Sequence, residues 1–228
     1  SRSLREPTEE DKAKLKHLAR YLRGTSDYML LITTKCGYSD DVPGIVEVYV
    51  DSDWAGCHKT RKSTTGVCVF YNGVLIHHYS RTQATVALSS AEAELYAIGT
   101  GTIDGVSLLQ FVRELGLPVQ PKCSVFVYTD SSSAKSIATR LGSSRTTKHI
   151  HLRYLYVQDL VRAGLLDVMK IHTDKNVADL LTKYLSVERT KLQSSMLNLQ
   201  ARNQIQHLAA LQCYVINAIL CSSRQATA

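Results

Sequence analysis

Val48-Tyr49-Val50-Asp51-Ser52-Asp53-Trp54-Ala55-Gly56 is an apolar strand that runs into two carboxylates, the chain's only tryptophan and a glycine. Alternating valines favour a buried strand. A carboxylate at the end of such a strand must be hydrated, paired or bound to a cation. Asp51 and Asp53, at i and i+2, share a face of that strand. The pair points to a metal or acid/base site only if other elements bring further carboxylates to it, and Asp53 also reads as a turn aspartate.

Working outward, the pattern on both sides is β. Residues 45–51 form the strand, residues 58–62 a basic loop, residues 66–71 a second strand, and residues 74–79 its return. Asn72-Gly73 between the last two is a strong hairpin signal. A long helix follows. Ser89-Ser90-Ala91-Glu92 is a capping box, Leu95, Ile98, Thr102, Val106, Leu109 and Val112 make the buried stripe, and Gly116 and Pro118 stop it. Residues 125–128 are a strand ending at Asp130, and residues 131–141 a short helix. A polar, basic loop spans 142–147. A third helix has Ile150, Tyr154, Val157 and Val161 on one face and ends at Gly164. A last strand covers 165–171 and a closing helix 177–185. This order predicts an α/β protein with a mixed five-stranded sheet, an antiparallel meander plus parallel strands, flanked by helices.

The ends differ in kind. Residues 12–23 form a basic amphipathic helix closed by Gly24, and residues 28–33 a short strand. The loop 37–44 is the expected domain boundary, which sets off residues 1–44 from a domain at 45–186. Residues 187–228, with Leu192, Met196, Leu199 and Ile205 at helical spacing, are expected to be an amphipathic helical extension. Its apolar end is interrupted by Gln212 and Asn217, which argues against a membrane span.

Composition narrows the partners. The 228 residues carry 27 basic and 20 acidic side chains, a net charge of +7, with a pI near 9.1. That balance favours polyanions such as nucleic acid, with a partnerless basic surface as the plain alternative. Six cysteines show no C-x-x-C pair and no histidine at zinc spacing, so a reducing compartment without disulfides or structural zinc is expected. The chain begins with Ser and carries no cleavable signal, which reads as a piece of something longer, such as a polyprotein.

Three further carboxylates stand out. Asp130 ends a strand, and a helical crossover would make that strand a parallel neighbour of the one ending at Asp51. Glu94 lies two positions after the capping Glu92, and Asp179 sits among apolar neighbours in Asn176-Val177-Ala178-Asp179-Leu180-Leu181. Taken singly, Asp130 is explained as a helix N-cap, Glu94 as a helix-dipole glutamate and Asp179 as a solvated helical residue. Taken together, oxygen-only ligands on two strand ends and two helices suit a pair of magnesium or manganese ions, with phosphodiester hydrolysis as the chemistry.

Tyr49-Val50-Asp51-Ser52-Asp53-Trp54-Ala55-Gly56, Arg61-Lys62-Ser63-Thr64-Thr65-Gly66, Thr85-Val86-Ala87-Leu88-Ser89-Ser90-Ala91-Glu92-Ala93-Glu94, Tyr128-Thr129-Asp130 and Ala178-Asp179-Leu180-Leu181-Thr182-Lys183 together resemble the ribonuclease H domain of copia-type LTR retrotransposon polyproteins. Residues 19–25 resemble the connection segment that follows the reverse transcriptase there. The resemblance implies a ribonuclease H-like fold, with Asp51, Glu94, Asp130 and Asp179 as catalytic metal ligands and Asp53 as the backup to Asp51. It also implies two Mg2+ ions (or Mn2+), and cleavage of the RNA strand of an RNA–DNA hybrid beside the reverse transcriptase of the same polyprotein. An intracellular setting follows, a cytoplasmic virus-like particle or the nucleus.

Arg61, Lys62, Gln83, Ser89, Arg145, Lys148 and His149 flank the expected site as substrate contacts, and His172 is a candidate proton shuttle whose plain reading is a strand-end histidine. The sequence departs from the family pattern at Cys57-His58-Lys59, His151 and Tyr184, none of which removes a carboxylate. The rival readings are a catalytically silent nucleic-acid-binding remnant and a DNA nuclease of the same superfamily.

Overall fold

The computed structural model describes residues 6–32, 43–140 and 152–203, with the backbone alone for 152–155. The chain divides into two compact units, residues 32–197 and a smaller one built from the two chain ends, 1–31 and 198–228.

In the smaller unit, helix α1 (Glu9–Gly24) starts earlier than its apolar spacing predicts. Thr8 caps it by accepting from the Asp11 backbone N–H, while the Asp11 carboxylate accepts from the backbone N–H of Thr8. That reciprocal pair, with three acidic residues in the first turn, outweighs the apolar pattern in setting the start. The short strand β1 (Tyr28–Leu30) pairs antiparallel with a strand near the other end of the chain, Leu199–Ala201, which is β7 below.

The larger unit holds the sheet. Strands β2 (Val46–Asp53), β3 (Thr64–Tyr71) and β4 (Val74–Thr82) form the antiparallel meander. Asn72 and Gly73, both at positive φ (49° and 78°), make the tight turn between the last two. Helix α2 (Ser90–Glu114) then crosses the sheet and returns the chain as β5 (Val125–Thr129), parallel to β2. Helices α3 (Ser132–Thr139) and α4 (Leu152–Arg162) lead to β6 (Leu166–Lys170), parallel to β5. The strand order is β4-β3-β2-β5-β6. Helix α5 (Val187–Met196) follows in the same unit, and β7 (Leu199–Ala201) belongs to the smaller one.

Helix α2 lies against β2 because two of its residues have no side chain. A Cβ on Gly101 would stand 2.6 Å from Val50 Cγ1, and one on Gly105 would stand 2.7 Å from Val48 Cγ2. The main core forms there, with Val48, Val50, Val67, Leu95, Ile98 and Val127 buried. The predicted stripe of α2 is buried except for Val106, which is half-covered because Gly105 takes the place against the sheet. By length and composition α2 is also apolar enough to cross a bilayer, the only described helix of which this holds. Among the described residues Cys68 and Cys123 are free thiols.

The closing helix expected at 177–185 is not α-helical. A 3-10 turn covers Val177–Leu181, after a shorter one at Thr173–Lys175. Asn176 explains the difference. Its Nδ2 donates to the carbonyl of Val50 at 2.9 Å, and its Oδ1 accepts from the backbone of Ala178 at 3.3 Å, so the turn is pinned to β2 at its first residue. Its far end lies over Gly66 of β3, where a Cβ would come within 2.8 Å of Leu181 Cβ. A second small core, Cys68, Phe70 and Val177 with Leu181 and Leu197 packed on it, seats this segment.

Candidate active site

Parallel pairing of β2 and β5 aligns their C-terminal ends. Tyr49 is in register with Tyr128, so Asp51 and Asp130 each come two residues beyond the same rung. The 3-10 turn pinned by Asn176 brings Asp179 to that edge. One carboxylate oxygen from each of Asp51, Asp130 and Asp179 lies within 4.8 Å of the others. Asp51 and Asp179 are fully buried and Asp130 is half-buried. Three carboxylates this close repel one another unless a cation lies among them.

Glu94 reaches the same place from the second turn of α2. Its Oε1 accepts from the backbone N–H of Ser52, the residue after Asp51, at 3.3 Å. Its Oε2 is buried with no hydrogen-bond partner. Burial, and then the negative charge of Asp51, with Asp130 adding to it, push the Glu94 carboxyl up to about 8, against the Ser52 hydrogen bond. Burial also raises Asp51, to about 6, although Thr182 and Lys183 favour its charged form. These carboxyls are held at a cost that a divalent cation would offset. The donor set is all oxygen, which suits magnesium or manganese, and the unpartnered Glu94 Oε2 is an oxygen that such an ion could take.

Three residues at the site escaped the sequence reading of roles. The Lys183 ammonium lies 2.9 Å from Asp51 Oδ1 and 2.8 Å from Asp179 Oδ1. Burial works against its charged form, but the hydrogen bonds and charges of Asp179 and Asp51 outweigh that and raise its pKa. The Thr182 hydroxyl donates to Asp51 Oδ2. From α5, Arg189 reaches Asp179 Oδ2 at 3.3 Å and Asp174 Oδ1 at 3.2 Å. The available signal was the i,i+4 spacing of Asp179 and Lys183, which would place a base beside an acid on the α-helix that the sequence predicts there.

The remaining candidates fall elsewhere. Asp53 accepts from the backbone N–H of Thr64, its rung partner on β3, and its carboxylate lies over Gly56. It serves the turn out of β2 and is not in the Asp51–Asp130–Asp179 group. Gln83 is buried, with Nε2 donating to Thr65 Oγ1 at 3.0 Å and to the Ala93 carbonyl at 2.9 Å, so it braces α2 to the meander. Ser89 is the exposed N-cap of α2, accepting from Glu92 N–H. The Glu92 carboxylate accepts from Leu88 N–H and from the Tyr96 hydroxyl. Arg61 is exposed and Lys62 half-exposed in the loop after β2. His172 is an exposed turn residue whose Nδ1 accepts from Asp174 N–H. Its neighbour Thr173 donates to Asp130 Oδ2 at 3.0 Å. Arg145, Lys148 and His149 lie outside the described residues.

A Pol polyprotein from the tobacco (Nicotiana tabacum) transposon TNT 1-94 is 38% identical over 183 residues, 80% of this chain and 13% of that protein. Another, from the Arabidopsis thaliana transposon RE1, is 30% identical over 189 residues, 82% of this chain and 12% of that protein. This chain is a relative of copia-type retrotransposon Pol polyproteins. It spans about an eighth of the length of those relatives. No family model matches it. Among solved structures, an N-terminal ribonuclease H domain from Mycobacterium tuberculosis is similar over 66% of this chain and 94% of that one, with 14% identity and a TM-score of 0.44. The antiparallel meander continued by two parallel strands is the mixed five-stranded sheet that the retrotransposon resemblance implies.

Proposed function

We propose that this domain is a ribonuclease H that cleaves the RNA strand of RNA–DNA hybrids, with Asp51, Glu94, Asp130 and Asp179 holding two magnesium ions. The observation that carries the reading is the meeting of three aspartates from three separate elements within 4.8 Å, with Glu94 of a fourth element bound to the backbone N–H of Ser52, the residue after Asp51. When bound, such ions activate a water and offset charge on the leaving oxygen. The chain's own residues hold and orient the ligands. Ser52 N–H fixes one Glu94 oxygen, Thr182 fixes one Asp51 oxygen, and Arg189 one Asp179 oxygen.

Arg61 and Lys62, beside the end of β2, supply cations for the phosphates of the hybrid, and the reverse transcriptase of the parent polyprotein presents it. The second reading, a catalytically silent module, is favoured by one observation: Lys183 already bridges two of the carboxylates.

The test is a gel assay on an end-labelled RNA–DNA hybrid with Mg2+. The wild type is expected to cut the RNA strand and Asp130→Asn to be at least about a hundredfold slower. No cleavage by the wild type, or equal cleavage by both, would sink the enzymatic reading.

A further inference from the structure

The four acids of the site meet two bases, and the two bases are placed differently. Arg189 touches one acid of the set, Asp179, on its outer oxygen Oδ2, and shares its charge with Asp174. Lys183 alone bridges two of them. Its ammonium lies between Asp51 Oδ1 and Asp179 Oδ1, at 2.9 and 2.8 Å, a place that an ion bridging these two oxygens would also take. Among the described residues Glu94 and Asp130 have no comparable cation. Glu94 Oε2 is without a partner, and Asp130 Oδ2 accepts only a neutral hydroxyl, from Thr173. Among the described residues the site is therefore asymmetric, with a cation of the chain bridging Asp51 and Asp179 and none bridging Glu94 and Asp130.

From this geometry we infer that Lys183 is a tethered, displaceable counterion that competes with a divalent ion for the Asp51–Asp179 half of the site. The inference rests on the metal-holding part of the function proposed above. Two physical points support it. An ammonium and a divalent ion held at the same two oxygens repel strongly at that range, so each weakens the binding of the other. The Lys183 side chain is also 38% exposed, on a flexible four-carbon stem, so the ammonium can leave towards water without disturbing the fold. With no divalent ion, the same ammonium keeps two buried carboxylates from facing each other uncompensated, which is the costly state for such groups. The Asp51–Glu94–Asp130 half meets Lys183 at Asp51 alone, so it fills first. The Asp51–Asp179 half fills only when Lys183 yields.

Calorimetric titration of Mn2+ into the full chain, with no nucleic acid present, tests this on the wild type, Lys183→Gln and Lys183→Arg. Lys183→Gln is expected to bind Mn2+ about tenfold more tightly than the wild type, a coupling of ordinary size. Lys183→Arg, which keeps the charge, is expected to stay within about threefold of the wild type on the same scale. A melt of each protein with and without Mn2+ adds a second readout. Metal-free Lys183→Gln melts below the wild type, and Mn2+ raises its melting temperature by more. Binding by Lys183→Gln but not by the wild type supports competition in its strongest form. Equal affinity in wild type and Lys183→Gln, equal gains in Lys183→Gln and Lys183→Arg, or no binding by any of the three overturns it. The two readings fail separately. Lost cleavage with the affinity difference intact removes only the enzyme, and intact cleavage with equal affinities removes only the counterion.

Discussion

The side-chain amide of Asn176 donates to the carbonyl of Val50 at 2.9 Å, across 126 residues of chain. Val50 directly precedes Asp51, and Asn176 opens the turn that carries Asp179, so one buried hydrogen bond sets the spacing of two carboxylates. Asn176 is fully buried, and its removal also leaves Ala178 N–H without its side-chain acceptor. Asn176→Ala is expected to lose about 1–3 kcal/mol in urea unfolding. Its Mn2+ affinity in calorimetry should fall as well, since Asp179 loses its anchor. Unchanged affinity in a folded variant would mean that the seat on Cys68 and Phe70 alone suffices.

Glu94 makes the metal-free protein sensitive to pH in a definite direction. Its carboxyl lies at about 8 in the fold against an ordinary 4.5, so the folded state keeps a proton that the unfolded chain releases across that window. Stability then falls as pH rises from about 4.5 to 8, and the full penalty stands above 8. Asp51, raised to about 6, adds to the lower part of the window. In the absence of divalent ions, Glu94→Gln should be more stable than the wild type at pH 8 by up to roughly 3–5 kcal/mol, and close to it at pH 4.5. Urea melts at the two pH values measure this, and equal pH slopes in both proteins would refute it.

The order of strands was legible in the sequence because each carries its own punctuation. Valines alternate in Val46, Val48 and Val50, Asn72-Gly73 closes a hairpin, and Ser89 caps the helix that crosses the sheet. The 3-10 turn at Val177–Leu181 was not, because its apolar neighbours mimic a helix. What tightens it is a hydrogen bond from Asn176 to a strand far away in the chain. The bracing role of Gln83 was hidden for a similar reason: nothing local in Arg81-Thr82-Gln83 says that its amide is folded inward onto Thr65 and Ala93. Lys183 stood in plain view within a family motif. Its position between two buried aspartates is tertiary information, and residue type alone does not carry it.

Close approach of α2 to β2 should be felt at Gly101. A methyl group there meets Val50 Cγ1 at 2.6 Å and Val48 Cγ1 at 3.0 Å. Alanine gains about 1 kcal/mol in helix propensity over glycine, and the overpacking outweighs it. Gly101→Ala is expected to be destabilised by about 1–3 kcal/mol net. Val50→Ala removes the opposing Cγ1, so the double variant should cost less than the sum of the two single ones by about 1 kcal/mol or more. Strict additivity in thermal melts would show that the helix shifts freely instead.

Asp51 and Asp53 share a strand face, yet the fold uses them for different ends. Asp53 accepts from Thr64 N–H across the β2–β3 rung and sits over Gly56, so it holds the turn that follows the strand. Asp51 is fully buried, and one of its oxygens lies within 4.8 Å of ligand oxygens from Asp130 and Asp179. Asp53→Ala should therefore lose about 0.5–1.5 kcal/mol of stability and keep its Mn2+ affinity within about threefold. Asp51→Asn removes a charge shared by both halves of the site, so its Mn2+ affinity should drop by at least about tenfold, by the Coulomb energy of one charge at contact range. Calorimetry on the two folded variants separates them. A larger affinity loss in Asp53→Ala than in Asp51→Asn would reverse the assignment and make Asp53 the ligand.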